Sequence, residues 1–170
     1  MTFDQYLLYS ARVGDLDGIK ECIDEDIPVD TLEAETSNTS LHMACANGFD
    51  EIVKFLIEKG ADINAKNISG NTPLHWACLN GKSSIVDILL EQKVDDKHLV
   101  DVNAKNIFKR IPMEEALLAG RSDMAEILAP LSKLEEDKMY ATADALEKVN
   151  EEEEEKIEEE DHPDLKKTPV

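Results

Sequence analysis

The side chains in this 170-residue chain whose types and spacing could do chemistry are two histidines and three cysteines. His42 and His75 could hold a metal or move a proton, and Cys22, Cys45 and Cys78 could attack, ligate or cross-link. The two histidines lie 33 residues apart, and so do Cys45 and Cys78. A metal site needs several ligands converging, and no further group stands at ligand spacing from either histidine. Packed neighbouring helices sit about 8–10 Å apart, beyond the roughly 7 Å across which a disulfide closes. Cys45 and Cys78 are therefore expected as free thiols acting as small buried hydrophobes. Cys22, aligned with Phe55 and Ile88 of later segments, reads the same way. A Gly-rich phosphate loop, G-x-S-x-G and H-E-x-x-H are all missing. Carboxylate pairs mean little on so acidic a chain. The expectation is a binding protein and not an enzyme, with no cofactor and no metal.

The shared 33-residue offset identifies what must position these residues, namely a repeat. Thr39-Ser40-Leu41-His42-Met43-Ala44-Cys45-Ala46-Asn47-Gly48 recurs as Thr72-Pro73-Leu74-His75-Trp76-Ala77-Cys78-Leu79-Asn80-Gly81. The segments that follow also match, Glu51 to Ile57 against Ser84 to Leu90. The turns Ala61 to Asn67 and Val100 to Asn106 match at an offset of 39, leaving six extra residues between Leu90 and Asp101. Inserted residues of this kind map to surface loops. A weaker copy runs from Ile111-Pro112-Met113-Glu114 to Ile127-Leu128, and the weakest from Leu7 to Ile23. Each unit reads as a turn, a short helix, a reversal at Gly48 or Gly81, and a second helix. Thr72 and Pro73 suit the N-cap and first position of a helix. Such a unit cannot close a core alone, whereas stacked units bury a shared one.

A 33-residue period carrying T-P-L-H-x-A, complete at Thr72 to Ala77, resembles the ankyrin-repeat family over roughly residues 5–132. The resemblance implies an all-α solenoid of about four repeats, two clear and two degenerate caps. Their bounds are about 5–33, 34–66, 67–105 and 106–132. Thr39, His42, Gly48, Thr72, Pro73, His75 and Gly81 then become structural repeat residues, with the histidines hydrogen-bonding to the turns. It also implies a concave binding surface of turn tips and inner helix faces. That surface would comprise Glu35, Asn38 and Asn47 from the second repeat, and Ser69, Asn71, Leu79 and Asn80 from the third. Phe108, Arg110 and Leu118 complete it from the fourth. Each asparagine could instead serve a turn or a helix end. Trp76 is expected in the core in preference to the groove, and Phe108 is the better candidate for exposure.

Composition sets the partner class. The chain has 38 acidic and 18 basic residues, for a net charge of −20. Residues 133–170 hold 15 acids and 6 bases, against 23 and 12 in residues 1–132. This excludes direct nucleic-acid binding and an anionic membrane surface, and it favours a basic protein partner. No run of some 18 apolar residues is present to span a bilayer, and the first residues lack a secretory pattern. With three cysteines the chain is expected in a reducing compartment. Residues 133–150 suggest a C-terminal helix with apolar positions at Met139, Ala143, Leu146 and Val149. Residues 151–170 suggest a disordered acidic tail.

LHMACANG, GNTPLHWACLNGK and an acidic tail together resemble the small ankyrin-repeat chaperones dedicated to the third ribosomal protein of the small subunit. That resemblance implies a non-enzymatic chaperone, monomeric, cytoplasmic and nuclear, which holds a basic ribosomal client soluble through its concave surface and tail. The alternative is a generic ankyrin adaptor or inhibitor in signalling or transcription.

Overall fold

The structure, a computed structural model, describes residues 2–95 and 97–132. By its contacts the chain divides into Met1–Lys133 and Leu134–Val170. The expected C-terminal helix and acidic tail lie outside the described residues.

Among the described residues eight helices follow in pairs: α1 (Phe3–Val13), α2 (Leu16–Asp24), α3 (Ser40–Asn47), α4 (Asp50–Glu58), α5 (Pro73–Leu79), α6 (Ser83–Glu91), α7 (Pro112–Leu118) and α8 (Ser122–Leu128). The first helices of the pairs pack in a row, α1 on α3, α3 on α5 and α5 on α7. The second helices form a parallel row in which α4 meets α6 and α6 meets α8. The reversal between paired helices is the same in all four repeats. Asp15, Phe49, Lys82 and Arg121 each donate a backbone N–H to the carbonyl five residues earlier, on Ser10, Ala44, Ala77 and Ala116. The outer copies, faint in sequence, therefore share the backbone geometry of the central two.

That register shows which residues fill the stack. Leu7, Leu41, Leu74 and Met113 occupy one column in the first helices and are fully buried. Cys22, Leu56, Leu89 and Leu128 form the matching column in the second helices, also fully buried. Each large member of such a column contributes about 1.5–3 kcal/mol by leaving water. The column also corrects the alignment of Cys22, which stands with Leu56 and Leu89 and not with Phe55 and Ile88. The cause is one extra residue between the first and second reversals, which run from Asp15 to Phe49. All three thiols are free and buried. Burial raises their pKa, pushing Cys78 up to about 12, so none is a thiolate near neutral pH.

The insertion holds the only strands among the described residues. Lys93–Val94 (β1) pairs antiparallel with Lys97–His98 (β2) in a small hairpin. Leu99 N–H closes its base on the Gln92 carbonyl at 2.8 Å, and the His98 ring reaches the Leu90 carbonyl. Two-residue strands carry no readable alternation, so the sequence shows only a loop here.

Candidate functional site: the groove between turn tips and first helices

The groove is bounded on one side by the turns that precede α3, α5 and α7, and its rigidity comes from how those turns are tied. Asn67 Oδ1 accepts the N–H groups of Ser69 and Asn71, each at 3.0 Å. Asn106 Oδ1 does the same for Phe108 and Arg110. The free amide of each reaches back one repeat, Asn67 Nδ2 to Asn38 Oδ1 and Asn106 Nδ2 to Asn71 Oδ1, both at 2.9 Å. Backbone bonds run the same way, from Ile68 N–H to the Thr36 carbonyl and from Ile107 N–H to the Ser69 carbonyl. The turns thus form a hydrogen-bonded ladder along the stack.

The two histidines fasten that ladder to the helices. His42 Nδ1 accepts the Thr39 backbone N–H at 3.1 Å, and its Nε2 lies 3.0 Å from the Asn71 carbonyl. His75 repeats the arrangement with Thr72 N–H and the Arg110 carbonyl. A backbone N–H only donates and a carbonyl only accepts, so each ring must be neutral with its proton on Nε2. Burial lowers both pKa values, which favours that neutral state. The fourth repeat has Glu114 at this position, and its carboxylate accepts the Ile111 N–H at 2.9 Å. A carboxylate cannot donate as the imidazole N–H does, so Glu114 reproduces only the half of the tie that lies within its own repeat.

These ties decide which expected groove residues are available. Asn38 is a correction: it is buried, and its side-chain oxygen is taken by Asn67. Asn71 likewise has its amide oxygen held by Asn106 and its carbonyl held by His42. Asn47 and Asn80 are exposed, but their amides close their own helices on the Met43 and Trp76 carbonyls. Ser69 is half-buried in the ladder. Glu35, Leu79, Phe108 and Leu118 do present side chains to solvent. Arg110 is partly covered, its guanidinium 5.4 Å from the Phe108 ring and 3.6 Å from Glu115. Trp76 corrects the expectation of a core residue. It is half-buried in α5, and its indole Nε1 is enclosed without a hydrogen-bond partner among the described residues.

Sequence reasoning missed the first-repeat end of the groove. There α1 and the turn from Leu32 to Glu35 enclose a hollow of about 450 Å³, lined by Asp4, Tyr9, Arg12, Leu32, Glu33 and Glu35 among others. Arg12 pairs with Glu33 across it. Hydrogen bonds from Thr36 and Arg12 hold the Glu33 carboxyl below its usual range, so it stays ionised. Counted back from the reversals at Asp15, Phe49 and Lys82, Tyr9 falls at the position of Met43 and Trp76, and that register was the signal that could have found it. Among the described residues no three His, Cys, Asp or Glu side chains gather as a metal would require. No described helix is long and apolar enough to cross a membrane.

The arrangement is a scaffold of fixed turns presenting apolar and acidic side chains, a surface for binding. The family described as ankyrin repeats (3 copies) matches residues 7–101 and 65–142. The chain belongs to the ankyrin-repeat family. Within it, the chain is 43% identical over 57 residues to rat 26S proteasome non-ATPase regulatory subunit 10, covering 34% of this chain and 25% of that protein. It is 35% identical over 63 residues to the ankyrin repeat-containing protein YAR1 of Saccharomyces cerevisiae, covering 35% of this chain and 32% of that one. The chain thus spans a quarter to a third of the length of these relatives. A broader likeness is to a chain in the crystal structure of the yeast ribosomal protein Rps3 in complex with its chaperone Yar1. There the TM-score is 0.69 at 29% identity, over 78% of this chain and 94% of that one.

Proposed function

We propose that this ankyrin-repeat chain is a dedicated chaperone for a basic ribosomal protein, of the kind that Rps3 is to Yar1. It binds without catalysing, as a monomer, in the cytoplasm and nucleus. The observation that carries the reading is the likeness to a chain of the Rps3–Yar1 structure along 94% of that chain's length. The charge agrees with it. A ribosomal protein exposes Lys and Arg meant for RNA phosphates, and a partner with net charge −20 can cover them until RNA takes over. The groove supplies selection, through Tyr9, Leu79, Phe108 and Leu118 beside Glu33 and Glu35, while Glu151 to Asp161 adds diffuse attraction.

The test is to dilute purified Rps3 into low-salt buffer and follow its aggregation by light scattering. An equimolar amount of the full chain is expected to keep Rps3 in solution and to elute with it. Undiminished scattering, with the two proteins eluting apart, overturns the proposal.

A further inference from the structure

The charge of the folded repeats is distributed along the stack in one direction. Residues 1–66 carry 14 acidic and 5 basic side chains, whereas residues 67–132 carry 9 and 7. The turns that line the groove follow the same gradient. Glu35 precedes Thr36 in the turn ladder, Ile68 precedes Ser69 and Ile107 precedes Phe108, so one groove position reads acid, apolar, apolar. Both isoleucines are more than 60% exposed. Counting back from the reversals, Arg12 corresponds to Leu79 and Leu118 and departs from the acidic trend, but its charge is already paired with Glu33. The hollow at the first repeat is rimmed by exposed Asp4 and Glu35. The turn before α7 instead carries Lys105, Lys109 and Arg110 around exposed Ile107 and Phe108.

We propose that the groove is directional. It takes a segment of the basic partner whose Lys and Arg residues lie over the first repeat and whose apolar residues lie over the third and fourth. This rests on the chaperone reading and adds to it the orientation of the bound segment. The reverse placement is disfavoured twice. A lysine set against Ile107 and Leu118 would lose water without gaining a counter-charge, and Lys105 and Lys109 would repel it. An apolar side chain over the hollow would strip water from ionised Glu33 and leave Ile68, Leu79 and Phe108 wet. Three steps of about 8–10 Å between neighbouring first helices give a track of roughly 24–30 Å. A helix of roughly 16–20 residues covers that length.

The test uses the full chain and two synthetic 18-residue helical peptides with identical composition, Lys/Arg gathered in one half and Leu/Ile in the other, in the two chain orders. A nitroxide on the basic end of each is expected to broaden the NMR signals of Tyr9 and Leu32, and to spare Ile107 and Leu118. Two double variants give a separate readout. Asp4→Asn with Glu35→Gln is expected to weaken binding roughly threefold to tenfold at low salt and to flatten its salt dependence. Ile107→Ala with Leu118→Ala is expected to weaken it about tenfold or more and leave the salt dependence as it was. Broadening at Leu118 equal to that at Tyr9, or the same change of salt dependence in both variants, overturns the orientation while the groove remains the binding site. Failure of both peptides to bind overturns the groove itself and the chaperone reading with it.

Discussion

His42 and His75 began as candidate metal ligands, and their surroundings make them structural instead. Each ring accepts from the start of its own helix and donates to the turn of the next repeat. Truncating His42 to Ala leaves the Thr39 N–H and the Asn71 carbonyl unpaired, and is expected to cost about 1–3 kcal/mol in urea unfolding. The pH dependence follows from the sign of the shift. Both folded pKa values lie below the ordinary 6.5, so the unfolded chain takes up protons first as pH falls. Stability is therefore full above that value and declines below it, by at most about 1.4 kcal/mol per pH unit for each ring. Carboxylates titrate lower, so the window from pH 7 to 5.5 isolates the histidines. A His75→Gln variant is expected to show about half the wild-type slope in that window, and stability that rises on acidification there contradicts the assignment.

Gly70 is a further residue on which the ladder depends. It sits at φ 71°, and an added Cβ would come within 3.1 Å of the Asn106 Cα and the Ile107 nitrogen, both backbone atoms that cannot swing aside. Gly60 has a similar φ of 87° with nothing within 4 Å. Gly60→Ala should then cost only the left-handed penalty of about 1–2 kcal/mol. Gly70→Ala should cost clearly more in the same thermal or urea measurement, because it also parts the adjacent turns. Equal costs would mean that the close approach is unimportant.

At the level of elements, the two central helix pairs were legible because their residues repeat in type as well as in spacing. The reversal hydrogen bonds show why the outer pairs were faint. Those bonds involve backbone only, so Ser10 can stand where Ala44, Ala77 and Ala116 stand without a shared motif. The groove was less legible for the same kind of reason. Asn38 and Asn71 lie on the turn side of the groove, but which amide is spent internally depends on Asn67 and Asn106 in the neighbouring repeat, a contact 29 or 35 residues away. The hairpin of Lys93 to His98 is mostly exposed and bonds α6 through the His98 ring on the Leu90 carbonyl, and its base is already closed by the Gln92–Leu99 bond. Replacing Lys93–His98 by Asn-Gly, a two-residue turn that suits a hairpin, is expected to change stability by less than about 1 kcal/mol and the melting temperature by only a few degrees. A much larger loss would assign the hairpin a share of the core.

For the whole molecule, the question is how a net charge of −20 becomes selective. Charge alone attracts every basic protein, and an apolar groove alone attracts many amphipathic segments. On the proposed function, joining them in one chain, with acid concentrated at the first repeat and beyond residue 133, would select a partner both basic and apolar in the right places. Long-range attraction should act mainly on the rate of encounter and groove contacts on the rate of release. Removing residues 151–170 is therefore expected to slow association of the client severalfold and to change its dissociation little. The proposed joint action of carboxylates and groove on a basic ribosomal client is tested most directly by the dissociation constant of the full chain with purified Rps3, measured across a salt series. Between about 50 and 300 mM salt the affinity is expected to fall at least tenfold, as screening of several exposed charge pairs requires, and to remain measurable at the upper end. An affinity independent of salt, or no binding at low salt, would contradict it.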